Sequence, residues 1–400
     1  MYSLYLHIPF CTHRCAYCDF NTYAGQEDLI PDYVVALKNE IRSVADSAPE
    51  RIEVRTIFFG GGTPSLLAGS QFETILKTIQ QRFNVAEDAE ISLEANPGTL
   101  TAGALRELHA LGFNRISLGV QSAHPVELRQ LERIHDYFDV VNAVEWAREA
   151  GFENLNLDLI FGLPEQTLER WQASLQLVLG LHPEHLSLYA LTLEHGTPFG
   201  RWAQRGLLPL PDPDAAADMY EWAQETLQAR GYEHYEISNW AQADRQCRHN
   251  LQYWRNLPYL GFGAGAHGFA GQVRYSNVLR IKTYIDRLLS SVSGPAFPVS
   301  PSTVNRQWIT PKVEMQETMI TGLRLTQEGV STSAFRKRFG CELDSVFGKE
   351  IEELVGLGLL EKIDEEHPPL SPVQPQGFRL RLTQRGHLLG NQVFIRFVDG

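Results

Sequence analysis

The feature that most limits how this chain can fold is a beat of short apolar or β-branched runs separated by amphipathic stretches. Runs at residues 3–8, 55–59, 90–94, 115–119, 154–160 and 185–191 have the length and composition of strands. Helix-like segments cover residues 31–44, 70–83, 101–111, 140–150 and 168–179. In the second of these, Phe72, Ile75, Leu76 and Ile79 recur at helical spacing along one face. Thr101 stands where an N-cap belongs, with Leu105 and Leu108 behind it. Strands alternating with helices pair in parallel, because each helix carries the chain back to the same end of the sheet. The expected fold is α/β: a partial (β/α)6, TIM-like barrel with its helices outside.

In curled parallel sheets, chemistry collects at the carboxyl ends of the strands. The conspicuous loops follow those ends, at residues 9–20, 60–65, 95–98, 120–122 and 161–164. The first carries Cys11, Cys15 and Cys18 as C-x3-C-x2-C. Five cysteines in 400 residues make no disulfide framework, and three within eight positions point to metal or redox chemistry in a reducing, cytoplasmic setting. Three readings of the trio stand: buried structural thiols, a zinc site completed by His7 or His13, or a 4Fe-4S cluster on three thiolates. The last leaves one iron open to a small molecule. Charge narrows the partners: 35 basic against 48 acidic side chains leave −13, a poor surface for gripping nucleic acid. No apolar run reaches the ~18–20 residues of a membrane span, and Met1 leads straight into YSLYLHIPF without a basic leader.

With Tyr17 before its last cysteine, the trio resembles the signature of the radical S-adenosylmethionine (SAM) proteins. In that family the open iron is chelated by the amino and carboxylate groups of SAM, and electron transfer yields a 5′-deoxyadenosyl radical. The run Gly60, Gly61, Gly62, Thr63, Pro64 resembles the family's glycine-rich strand end; a plain strand-to-helix turn explains one glycine better than three. Tyr5 to Cys11, YLHIPFC, is similar to the opening of one branch, the oxygen-independent coproporphyrinogen oxidases and their relatives. The resemblance implies cofactor-binding roles for Tyr5, Gly61, Gly62, Thr63, Glu94, Gln121, Arg133 and Asp158. Their chemistry suits it: carboxylates take ribose hydroxyls or an ammonium, and Arg133 pairs with a carboxylate. Two departures separate the chain from the oxidases. Their fourth cysteine is replaced by Phe20, and only four residues precede Tyr5, where they carry an extension. Coproporphyrinogen oxidation is not expected, and no catalytic residue is assigned.

Residues 249–254 read H-N-x-x-Y-W, which resembles the signature of the HemW heme chaperones within this branch. A neutral imidazole is a common axial ligand of heme iron, and Tyr253 and Trp254 offer flat apolar faces for a porphyrin. His249 is therefore the expected heme ligand, with Asn250 orienting it. Cys247 is a rival, and so is His267 in the glycine-rich run GFGAGAHG at residues 261–268. A core histidine beside two packed aromatics would look the same in sequence.

Residues 290–302, rich in serine, proline and glycine, read as a linker. Beyond it, helices at 314–325, 331–339 and 343–354 and a strand at 378–383 suggest a small winged-helix-like domain. Its basic helix carries Arg336, Lys337 and Arg338, but residues 306–400 hold 12 basic against 13 acidic side chains, a net of −1. A packing or lid role fits that balance better than DNA binding. The expected division is a barrel with its cluster over 1–235, a heme region over 236–305 and the C-terminal domain over 306–400. The expected function is a heme chaperone that delivers heme to an acceptor such as a respiratory hemoprotein. The alternative is a radical enzyme acting on a tetrapyrrole.

Overall fold

The computed structural model describes residues 1–290, 295–365 and 377–398. The strand–helix beat folds as β1 (Tyr2–Ile8), α1 (Ile30–Asp46), β2 (Glu53–Gly61), α2 (Gly69–Arg82), β3 (Asn84–Ala95), α3 (Ala102–Ala110), β4 (Arg115–Gln121), α4 (Tyr137–Glu149), β5 (Leu155–Phe161), α5 (Leu168–Leu179) and β6 (His185–Ala190). All six strands pair in parallel in chain order. Helix starts follow local chemistry. Pro31 sits in the first turn of α1, Thr101 Oγ1 accepts from the Ala104 amide, and Asp136 with Asp139 forms a capping box on α4. One hydrophobic layer joins sheet to helices: Leu4, Leu6 and Ile8 of β1 are buried with Tyr33, Leu37 and Ile41 of α1. As deletion of such side chains costs about 2–5 kcal/mol each, this layer holds the barrel wall in place.

The chain then builds outward from both edges. After α6 (Pro213–Ala229) come β7 (Glu233–Glu236) and β8 (Asn239–Ala241), which extend the β6 edge antiparallel. A short helix, α7 (Arg248–Trp254), leads to β9 (Tyr259–Phe262), β10 (His267–Ala270) and β11 (Val273–Asn277). After α8 (Ile281–Ser290), β12 (Thr303–Trp308) completes the sheet. The twelve-stranded order is β12-β11-β10-β9-β1-β2-β3-β4-β5-β6-β8-β7. Strand β9 lies parallel to β1 on its other side, with Leu260 opposite Leu4 and Phe262 opposite Leu6. It is a seventh parallel strand that the six-unit reading lacks. Four residues containing glycine carry little strand signal alone; pairing with β1 imposes the conformation.

Part of the stretch expected as a linker, residues 291–294, lies outside the described residues. Its far end is tied to the barrel. Ser300 and Ser302 donate to Glu40, a buried carboxylate of α1 that also accepts from Tyr284, Asn277 and the Gly263 amide. The C-terminal unit has its own core around Leu323, Phe335, Ile351 and Leu380. Helices α9 (Pro311–Gly322), α10 (Thr332–Phe339) and α11 (Leu343–Gly356) pack with β13 (Val330–Ser331), β14 (Leu360–Asp364) and β15 (Phe378–Leu382), an antiparallel sheet of winged-helix type. Arg338 of the basic helix is used internally: it pairs with Glu314 and donates to the backbone carbonyls of Arg255 and Asn256. Among the described residues no helix is long and apolar enough to cross a membrane.

Candidate functional site

The carboxyl ends of the strands open into a cavity of about 460 Å³. Cys11, Cys15 and Cys18 all line it, together with Gly61, Gly62, Thr63, Glu94, Gln121, Arg133 and Asp158. The trio sits in the loop after β1, the glycines end β2, Glu94 ends β3 and Gln121 ends β4. Tertiary structure thus gathers these predicted residues on one surface. Tyr5 and His249 are exceptions. Tyr5 faces a second cavity, and His249 lines neither. Asp158 lies in the middle of β5, whereas Glu94 and Gln121 stand at or next to the ends of their strands.

Each thiol has a neighbour. Thr63 Oγ1 donates to Cys11 Sγ at 3.6 Å, Arg133 Nη1 lies 3.5 Å from Cys15 Sγ, and Thr22 Oγ1 is 4.0 Å from Cys18 Sγ. Burial pushes the Cys11 and Cys18 thiols up, so positive charge placed among them is what would favour their thiolates. Arg133 also donates Nη2 to the Gly119 carbonyl at 2.8 Å, while its buried Nε has no partner. That orphaned donor, on a side chain in contact with the Cys15 thiol, fits a site whose occupant brings an anionic group.

The three glycines are explained by approach. Gly61 has φ +108°, and a Cβ there would run into the His7 ring; a Cβ on Gly62 would meet the Phe10 carbonyl oxygen at 2.6 Å. The Gly61 amide donates to Glu94 Oε2 at 2.9 Å. Glu94, whose exposed edge opens into the cavity, is pushed up to about 7, first by burial and then by Asp158. Asp158 is raised by burial too, although Ser117 and Asn156 donate to it at 2.9 and 2.7 Å. Gln121 sits at φ 67° beside a bulge between β4 and β5, which turns the chain at the cavity rim. Arg115 on the cavity wall escaped the sequence reading. It is 2% exposed, its Nε is unpartnered, and it stands near Glu90, Cys247 and Asp158. An arginine at the head of the apolar run RISLGV reads as a strand boundary, not as part of an interior wall.

The H-N-x-x-Y-W segment is α7, packed against the barrel strands. Glu90 of β3 accepts from the Arg248 and His249 amides at 2.9 and 3.0 Å, which satisfies the helix start. The His249 ring stacks on Phe58, 5.0 Å between centroids. Its Nδ1 is 2.7 Å from Thr56 Oγ1 and its Nε2 is 2.8 Å from the Tyr253 hydroxyl. Thr56 spends its single proton on Ser3, so Nδ1 carries the imidazole proton and Nε2 accepts from Tyr253. Burial, with Arg115 nearby, lowers His249 to about 3 and keeps it neutral. The lone pair that iron would need is already engaged. Asn250 reaches the first cavity, while Tyr253 and Trp254 line the second, of about 550 Å³.

Set beside known proteins, residues 5–178 match the radical SAM superfamily and residues 309–367 match the HemN C-terminal domain. A heme chaperone HemW from Bacillus subtilis is 39% identical over 100% of this chain and 99% of its own length. The chain belongs to the HemW family of radical SAM proteins. A second member, from Lactococcus lactis, is 36% identical over 99% of this chain and 97% of its own length. The HemW fold is also that of coproporphyrinogen III oxidase, HemN, from Escherichia coli, a radical SAM enzyme. Its structure superposes with a TM-score of 0.80 at 26% identity, over 99% of this chain and 89% of that one. Radical SAM membership implies a 4Fe-4S cluster and SAM, and the first cavity carries donors of the kind each would need. It offers three thiols in one loop, bare glycine backbone and an unsatisfied arginine. Bound there, cluster and SAM would supply one-electron chemistry, while the protein would supply binding and orientation.

Proposed function

We propose that this chain binds heme and hands it to an acceptor protein, such as a respiratory hemoprotein, in the cytoplasm. Cys11, Cys15 and Cys18 would hold the cluster. Gly61, Gly62, Thr63, Glu94, Gln121, Arg133 and Asp158 would hold SAM, and residues 236–305 the heme. Cluster and SAM assist transfer in this reading and oxidise no porphyrin. Its main support is likeness to a heme chaperone along the entire chain, 39% identical across 100% of it. Tyr253, Trp254 and Tyr259 in the second cavity add flat apolar surface of the kind a macrocycle needs.

A second reading, a radical enzyme on a tetrapyrrole, is favoured by the TM-score of 0.80 to HemN. One experiment separates the two. Anaerobically reconstituted protein is given SAM, reductant and coproporphyrinogen III, while heme binding and transfer to an apo-hemoprotein are followed in parallel. Saturable heme binding and delivery without protoporphyrinogen are expected. Many turnovers of the porphyrinogen would replace the chaperone reading by the enzymatic one.

A further inference from the structure

The second cavity says more about how heme would be held. It joins three stretches of chain: β1 with the loop beyond the cysteines, α7 with the strands after it, and Thr321 of α9. Asp19 and Phe20 line both cavities, so the second adjoins the cluster loop. Its walls are aromatic: Tyr253 meets Tyr259 edge-on, 4.5 Å between centroids, with Trp254 beside them. Phe20 and Leu279 on its lining are 63% and 56% exposed, apolar side chains left uncovered. Its volume falls within the ~300–1,000 Å³ of small-molecule sites, and its lining carries one guanidinium, Arg274.

Two histidines line this cavity, and His249 stands just behind the wall. His7 has neither ring nitrogen free: Nδ1 is 3.0 Å from the Tyr5 hydroxyl and Nε2 is 2.9 Å from the Asn21 carbonyl. His249 is likewise engaged at both. His267 differs. It is an exposed side chain at the start of β10, and among the described residues no protein group hydrogen-bonds to its ring. Although the residue is exposed, partial burial of its ring, and then the nearby Arg274, lowers its pKa and favours the neutral imidazole.

The glycine-rich run explains how the ring is placed. A Cβ on Gly261 would overlap the His267 backbone carbonyl, and a Cβ on Gly268 would enter the Tyr275 ring. The glycines therefore let β9, β10 and β11 close up, leaving the His267 side chain at the cavity.

We propose that heme docks in this second cavity with His267, not His249, as its protein axial ligand. The proposal rests on the heme-binding reading above and deepens it. A planar macrocycle would lie against Tyr253, Trp254 and Phe20. His249 is then a positioning residue, which holds Tyr253 in the wall through its hydroxyl. The H-N-x-x-Y-W motif matters in this account as wall, not as ligand.

The test is a hemin titration of anaerobically reconstituted protein, read by Soret position and affinity, with iron and sulfide measured in every variant. His267→Ala should shift the Soret band and weaken binding by about tenfold or more. Added imidazole should restore the band in His267→Gly, a rescue that a folding defect would not allow. His249→Ala should keep the parent's Soret position with a smaller loss of affinity. A shifted band in His249→Ala together with a parental one in His267→Ala would overturn the ligand assignment and leave heme binding standing. No saturable binding by the parent would instead sink the heme reading itself.

Discussion

The two cavities share a wall at Asp19 and Phe20, yet they are assembled in opposite ways. The first draws on consecutive strand ends, so its residues appear along the chain in the order in which the barrel is built. Three thiols fall within eight positions, and Gly61 of β2, Glu94 of β3, Gln121 of β4 and Asp158 of β5 follow strand by strand, with Arg133 in the stretch between β4 and α4. The second cavity takes Tyr5, Phe20, Tyr253, His267 and Thr321 from elements that become neighbours only once the sheet has closed. A site made by local repetition is legible in sequence. One made by packing distant pieces has no spacing to read.

Removing a thiol should have the largest effect. Cys11→Ala, Cys15→Ala or Cys18→Ala leaves two thiolates, too few to hold a four-iron cluster, and iron with labile sulfide should fall to near background in each. Hemin affinity should stay close to the parent's, because no cysteine lines the second cavity. Cys341→Ala, in the C-terminal unit, should change neither. If hemin binding disappears together with the cluster, the two cavities work as one site.

A smaller effect belongs to Arg133. Replacing it by methionine removes a charge-assisted partner for a carboxylate, and SAM affinity measured by calorimetry should fall about tenfold to a hundredfold. Heme affinity should not move. An equal loss of both would erase the distinction between the cavities.

The smallest effect is a pH dependence. Burial raises Glu94 from 4.5 to about 7, so in that window the folded state keeps a proton that the unfolded chain has released. Glu94 therefore supports folding fully below 4.5, and its contribution is lost as pH rises through 7. In cofactor-free protein, Glu94→Gln should flatten this slope and melt above the parent at about pH 8. SAM, which brings a cation, should bind the parent more tightly at that pH than in mild acid. A thermal-melt series with identical slopes for parent and variant would put Glu94 outside the buried cluster of carboxylates.

Much of the barrel could be read directly. Leu4, Leu6 and Ile8 on β1, and Phe72, Ile75, Leu76 and Ile79 on α2, carry their periods in the chain and are buried as those periods require. The same local rules miss β9, whose strand conformation comes from lying against β1, and Arg115, whose burial depends on strands far away in sequence. For a heme ligand they point to His249, not to the His267 proposed above. Beside Tyr253 and Trp254, His249 has the more suggestive neighbours, while His267 stands among glycines.

What the sequence determined by itself is everything set by spacing: the alternation of strands and helices, the three thiols in one loop, the glycines at the end of β2, the winged-helix-type tail. These depend on neighbours along the chain. Which imidazole keeps a free nitrogen was decided only by tertiary structure. His249 is satisfied by Thr56, 193 residues away, as well as by Tyr253 in its own helix, and His7 by the Asn21 carbonyl across the loop. A histidine is the same residue in any sequence; its availability depends on the donors and acceptors that folding brings to each side of the ring.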